Sequence, residues 1–439
     1  MERSAMASLV KWKDSARRKP LLLQGARQVG KTWLLKEFGR REYRNVAYAN
    51  FEENPSLAAV FGGDLDPSDL LIGLRAATET SIKPGATLII LDEIQACPRA
   101  LTSLKYFNEE ASEYHIACAG SLLGVAMHQG QSFPVGQVSF LSINPLTFTE
   151  FLQARGRPQL AEVLQSSAWD LVTALHQPLL NALAEYTVVG GMPEVVAEFV
   201  DSLDFAQARA TQMEILAAFD NDFSKHVPAE QLPKVRAVWA SVPQQLAKEQ
   251  KRFRYRELAP GARARSHEAA IRWLSDAGLV HRVPQVSVPR LPLLGYEAAA
   301  AFKLFLLDVG LLGAMSQLPP QVAIQGDALY SEFKGSLTEQ YVASHLVAAL
   351  GRAPHYWANE AGRAEVDFLV QLGGDLVPIE VKAGLSTQAK SLRVYRDKYS
   401  PALAVRASLL PYRRESGLVN LPLYAIERLE AIAADAVSS

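Results

Sequence analysis

A chain of 439 residues is longer than one ordinary hydrophobic core serves, so two to four domains are expected. With 49% hydrophobic and 21% charged residues, global disorder is excluded. A formal net charge of −1 makes no general case for nucleic acid, and the two cysteines, Cys97 and Cys118, exclude a zinc ribbon or a disulfide framework. No apolar run approaches the roughly 18–20 residues needed to cross a bilayer. The N-terminal MERSAMASLVKWKDSARRKP is basic but lacks the apolar stretch and cleavage site of a secretory signal. A cytoplasmic protein without membrane association is expected.

From Pro20 to about Phe151 strand and helix signals alternate. PLLLQ is a short apolar run ending in a Gly-rich turn, and KTWLLKEFG follows with helical spacing. NVAYANFEE reads as a strand and SDLLIGLRAATETSI as an amphipathic helix. ATLIILDE reads as a strand buried on both faces, as central parallel strands are. A proline-initiated helix, PRALTSLKYFNEE, leads to another buried run, YHIACAGS, in which Cys118 reads as a buried thiol. This alternation predicts an α/β core on a parallel sheet with right-handed crossovers.

Between Leu152 and about Lys234 the strand signal disappears, and helices broken at Gly190, Gly191 and Pro193 are predicted. From Val235 to about Leu294, helical stretches separated by RYRELAPGARARS run into DAGLVHRVPQV, the pattern of a winged helix-turn-helix or of a small helical bundle. Lys248–Trp273 concentrates eight Lys or Arg against three Glu, either a solvated face or a nucleic-acid surface. The last part, from about Ala301, opens with FKLFLLDVGLL and the helix KGSLTEQYVASHLVAAL, then turns to strands HYWANE, AEVDFLVQL and DLVPIEVKA, with Gly373–Gly374 as a hairpin turn.

GARQVGKT satisfies G-x-x-x-x-G-K-[ST] over Gly25, Ala26, Arg27, Gln28, Val29, Gly30, Lys31 and Thr32. Glycines let backbone N–H groups wrap phosphates at a helix N-terminus, Lys31 reaches the outer phosphates, and Thr32 can ligate Mg²⁺. The expected ligands are therefore ATP and Mg²⁺. Asp92 ends a buried strand, where a carboxylate is costly unless a cation or hydrogen bonds hold it. Glu93 is placed either to polarise an attacking water or merely to cap a helix, and Ser121 to bond a terminal phosphate or the water.

RKPLLLQGARQVGKT, LIILDEIQ, AGSLLG and PLTFTEF together resemble prokaryotic P-loop ATPases of the AAA superfamily, of the additional-strand type. FKLFLLDVGLL and AEVDFLV…PIEVKAG resemble the uncharacterised C-terminal domain such proteins carry, distantly similar to restriction-endonuclease-like nucleases. The resemblance implies a P-loop ATPase core over 1–152, a helical region over 153–234, a winged-helix-like region over 235–300 and an endonuclease-like domain over 301–439. It also implies possible ring assembly as a homo-oligomer. Relatives place Arg or Lys after the glycine that precedes PLTFTEF, whereas Gly136 is followed here by Gln137. A phosphate-facing cation would then have to come from elsewhere, with Arg99 and Arg155 as candidates.

Glu380 and Lys382 lie two apart on one strand and share a face, which Asp367 reaches from the neighbouring strand. Carboxylates so placed bind Mg²⁺, and a lysine beside them orients water for phosphodiester hydrolysis. Glu339 matches the further acid that the nuclease resemblance implies, and Glu365 is an accessory acid or an exposed one. A folded, binding-only domain fits the same residues. Asp308 reads as a helix cap or buried acceptor, and Asp220, Asp222 and His226 have no metal-ligand spacing. Two functions remain open: ATP hydrolysis coupled to DNA binding or processing, and a nucleotide-dependent switch or scaffold with a protein partner.

Overall fold

A computed structural model describes residues 1–120, 134, 136–166, 168–325, 331–359, 364–385 and 388–438. The backbone forms two compact units, the first of residues 1–144 with 276–278, the second of 145–275 with 279–439.

The first unit contains α1 (Ala5–Lys13), β1 (Leu21–Gln24), α2 (Lys31–Glu42), β2 (Asn45–Asn50), α3 (Pro67–Thr78), β3 (Thr87–Asp92), α4 (Pro98–Glu110), β4 (His115–Ala119) and β5 (Ser139–Ser142). Its strands pair in parallel in the order β2-β3-β4-β1-β5, so β4 lies between β1 and β3. Every residue of β3 and β4 is buried, which is why both read as continuous apolar runs rather than alternating ones. Leu22, Ile89, Leu91, Leu104, Phe107 and Ile116 are part of this core, and Cys118 lies buried among them as expected. Helix α3 stops at Thr78 rather than running to Ile82. Glu79 takes a left-handed backbone (φ 49°) that a right-handed helix cannot continue through.

The second unit opens with the helices α5 (Phe148–Ala154), α6 (Pro158–Gln165), α7 (Trp169–Ala174), α8 (His176–Val189), α9 (Pro193–Ser202), α10 (Phe205–His226), α11 (Leu232–Leu246) and α12 (Ala264–Asp276). Then come β6 (Val280–Val286), β7 (Glu297–Leu306), α13 (Val309–Met315), α14 (Pro320–Gln325), α15 (Ser331–Leu350), β8 (His355–Ala358), β9 (Glu365–Leu372) and β10 (Asp375–Val381). It closes with α16 (Lys390–Tyr399), β11 (Ala404–Ser408), β12 (Arg413–Glu415), β13 (Leu418–Pro422) and α17 (Leu429–Ser438). The break between α8 and α9 falls at Gly190–Gly191, as the sequence predicts.

Eight strands form one sheet in the order β12-β13-β11-β10-β9-β8-β6-β7. β9 and β10 pair antiparallel up to Leu372 opposite Asp375, which makes Gly373–Gly374 the expected two-residue turn. β6 pairs antiparallel with β7 and parallel with β8, so strands on both sides of residue 300 share one sheet. Residues 152, 234 and 300 fall inside α5, α11 and β7 respectively. Asp308 fulfils both roles weighed for it. Its carboxylate caps α13 by accepting from the Leu311 N–H at 2.9 Å and accepts from the Gly191 N–H at 2.7 Å. Burial raises its pKa to about 6, while those backbone donors pull the other way.

Candidate functional site

Residues 25–30 bridge β1 and α2, and the glycines at both ends are required. A Cβ on Gly25 would lie 2.2 Å from the Ile143 carbonyl oxygen, and Gly30 holds the left-handed φ of 89°. Lys31 opens the helix and its ammonium donates to the carbonyls of Gly25 at 2.9 Å and Ala26 at 2.6 Å. Burial lowers its pKa to about 8, against the opposing pull of Glu93 and Asp92.

The Thr32 hydroxyl donates to Asp92 Oδ2 at 2.8 Å, and Tyr48 from β2 donates to the same oxygen at 2.9 Å. Burial raises the Asp92 pKa, and these two hydroxyls counter the rise. A hydroxyl and a carboxylate brought together beside the loop form an all-oxygen donor pair suited to Mg²⁺. Glu93 adopts a left-handed backbone (φ 50°) and its Oε2 accepts from Gln95 Nε2 at 2.5 Å. Ser121, the remaining residue expected here, lies outside the described residues. Gln137 is bound to Asn108 and Glu109 of α4, and Arg99 donates to the carbonyls of Phe61 and Gly63. Arg155 is paired with Glu185 at 3.1 Å in the second unit. Arg99 and Gln137 are thus held by neighbours other than the phosphate loop.

In the second unit, Glu339 of α15, Asp367 of β9, and Glu380 with Lys382 at the end of β10 are brought together with two further lysines. The Asp367 carboxylate accepts the Val381 N–H at 2.7 Å, which ties the hairpin strands together, and Lys382 donates to Glu380 Oε1 at 2.6 Å. Lys303 of β7, only 1% exposed, lies 2.6 Å from Glu365, 3.8 Å from Glu339 and 3.9 Å from Asp367. Lys251 donates to Glu339 Oε1 at 2.5 Å. Burial drives the Asp367 pKa well above the usual carboxylate range, reinforced by Glu339 and Glu380. Burial also raises Glu380, opposed by Lys382. For Glu339 burial works upward too, but Lys251 and Lys303 hold it below its ordinary value. Among the described residues no three His, Cys, Asp or Glu side chains are grouped to hold a metal ion. Glu339, Asp367 and Glu380, expected to hold a metal ion, are interleaved with Lys251, Lys303 and Lys382.

Residues 17–152 match the AAA domain family. The first unit carries a P-loop ATPase fold. Residues 180–322 and 334–426 match two families described only as domains of unknown function, DUF8612 and DUF4143. No curated protein matches the chain. Among solved structures, a Walker-type ATPase of Pyrococcus abyssi is 14% identical, with a TM-score of 0.45, over 72% of this chain and 95% of its own. The ORC1 protein of Aeropyrum pernix, solved in complex with DNA, is 15% identical with a TM-score of 0.29 over 73% of this chain and 94% of its own. AMPPCP-bound DnaA from Aquifex aeolicus is 14% identical with a TM-score of 0.24 over 62% of this chain and 88% of its own. No described helix is long and apolar enough to cross a membrane.

Around the AAA domain's phosphate loop, sequence reasoning missed Tyr48 and Gln95, which orient Asp92 and Glu93. Gln95 closes the LIILDEIQ run without a role assigned to it, and only the pairing of β2 beside β3 brings Tyr48 to Asp92. In the second unit it missed Lys303 and Lys251. Lys303 had a readable signal, being a lone cation inside the apolar run FKLFLL. Lys251 was submerged in a basic cluster.

Proposed function

We propose that the chain binds ATP and hydrolyses it with Mg²⁺ in the AAA domain. The observation that carries this reading is the 2.8 Å hydrogen bond from Thr32 to Asp92. It brings the hydroxyl that follows the phosphate loop onto a carboxylate at the end of β3, the pair of oxygen ligands that would hold Mg²⁺ beside the phosphates. Loop amides and the Lys31 ammonium bind the phosphates, for which Lys31 exchanges its loop carbonyls for phosphate oxygens. Thr32 and Asp92 would hold Mg²⁺, which neutralises phosphate charge when bound. Glu93, oriented by Gln95, accepts hydrogen bonding from the attacking water, and Ser121 bonds the terminal phosphate. The test is ATP turnover that is lost in Lys31→Ala. Wild-type protein that binds no ATP in calorimetry with Mg²⁺ would end the proposal.

A coupled action on DNA is favoured by a separate observation. Arg252, Arg256, Arg263, Arg265 and Arg272 are all exposed within one 21-residue stretch around α12, followed by the β6–β7 pair in the order of a winged helix. In this reading they contact phosphates, and Glu339, Asp367 and Glu380 would hold a divalent ion beside Lys382, which orients water at a phosphodiester. Metal-dependent nicking lost in Lys382→Ala supports it. DNA binding without nicking leaves a binding-only domain, and no salt-dependent DNA binding leaves the nucleotide-dependent switch or scaffold with a protein partner. Assembly as a homo-oligomer and a cytoplasmic location are part of the proposal, and sedimentation with and without ATP tests the former.

A further inference from the structure

Three ammonium groups, from Lys251, Lys303 and Lys382, stand against four carboxylates, Glu339, Glu365, Asp367 and Glu380. Even so, Glu339 Oε2 and Glu380 Oε2 are buried without a hydrogen-bond partner, on residues only 9% and 6% exposed. A buried carboxylate oxygen with no hydrogen bond is costly, even with the Lys303 ammonium 3.8 Å from Glu339 Oε2, and these two belong to the same centre. Magnesium-like ions need only one or two carboxylates and complete their shell with water.

The three lysines are held differently. Lys303 is in mid-strand, its short contact is to Glu365 and its ammonium lies 4.9 Å from the centre of the Tyr356 ring. Lys382 belongs to the hairpin that carries Glu380. Lys251 alone of the three comes from the loop after α11, between the exposed Gln250 and Arg252, and reaches back to Glu339. The loop backbone itself is held to β7 two residues on, where the Phe253 N–H donates to the Phe302 carbonyl at 2.8 Å and the two rings stack, so the ammonium leaves by rotation of its own side chain while the loop stays in place.

We propose that Lys251 is an internal counter-ion standing in the cation position of the Glu339–Glu380 centre, and that a divalent cation enters only as the Lys251 ammonium leaves. The exchange breaks the Lys251–Glu339 hydrogen bond and replaces it with carboxylate–metal coordination, with no covalent bond of the chain made or broken. A 2+ ion takes the place of a 1+ group beside carboxylates whose unbonded oxygens then gain a partner. The centre of the isolated chain is thus latched, and whatever draws the Lys251 ammonium outward, a nucleic-acid phosphate being the chemistry that fits it, would favour metal entry. This rests on reading the centre as a cation site. ATP affinity measured on the same samples reports on the AAA domain alone, so failure of either reading is visible by itself.

The experiment is a calorimetric titration of MnCl₂ into the nucleotide-free full chain. Wild type should bind weakly and Lys251→Met at least about tenfold more tightly, as expected when a unit charge at contact distance is removed. Lys251→Arg should stay as weak as wild type, and adding Glu380→Gln to Lys251→Met should abolish the gain. Because a core variant can misfold, wild type supplies a second readout: amine-reactive labelling of Lys251, followed by mass spectrometry, should rise as Mn²⁺ is added. Equal Mn²⁺ affinity in wild type and Lys251→Met, binding in neither, or saturation with Mn²⁺ that leaves Lys251 labelling unchanged would each overturn the proposal.

Discussion

Replacing Lys31 with Met should stabilise the nucleotide-free AAA domain while weakening its hold on ATP. The Lys31 ammonium is buried, and the fall of its pKa from 10.5 to about 8 corresponds to a penalty of about 3 kcal/mol for carrying the charge at pH 7. Methionine removes that penalty but strips a donor from the Gly25 and Ala26 carbonyls, a loss of about 1 kcal/mol each. The net gain is about 1 kcal/mol, or roughly 2–4 °C in the melting temperature of a unit this size. ATP affinity should fall by about tenfold to a hundredfold with the loss of a charge-assisted contact. The pH dependence has a definite sign. The folded-state pKa lies below the unfolded one, so between about 8 and 10.5 the unfolded chain binds more protons and wild-type stability rises with pH. That rise should vanish in Lys31→Met. Differential scanning calorimetry without nucleotide, repeated from pH 7 to 10, measures both. A Lys31→Met protein that melts below wild type at pH 7, or that keeps wild-type ATP affinity, would refute the reasoning.

Glu93→Gln should retain ATP binding in calorimetry yet lose turnover by about 10²–10⁴-fold, the usual contribution of a positioned general base. Asp308→Ala should destabilise the second unit by about 3 kcal/mol, because the Gly191 and Leu311 N–H groups lose a buried ionisable acceptor; urea unfolding measures it. Replacing Arg252, Arg256, Arg263, Arg265 and Arg272 together with Gln should flatten the salt dependence of duplex DNA binding by about four to five in log–log slope, read by fluorescence anisotropy. An unchanged slope would remove that surface from the DNA reading.

The phosphate loop was legible because its chemistry is local. GARQVGKT needs only a strand before it and a helix after it, and both are there. The buried β3 strand announced Asp92 in the same way. Tyr48 was not legible, since its role depends on which strand lies beside β3, and that is a property of sheet order. At the far end of the chain, residue spacing placed Glu380 and Lys382 on one face, and the double glycine put Asp367 opposite. Spacing could not reveal that lysines 251 and 303, from a loop and a strand far upstream, would intrude among those acids. Composition could not show that one sheet takes strands from both sides of residue 300, because hydrogen bonding between strands, unlike sequence texture, ignores where a pattern changes.

The eight-stranded sheet sets where this protein can be cut. Severing the chain at 300 would split β7 in mid-strand, leaving each fragment a ragged, unpaired margin prone to aggregation. A cut near residue 145 spares that sheet, but residues 276–278, which belong to the first unit, go with the second piece.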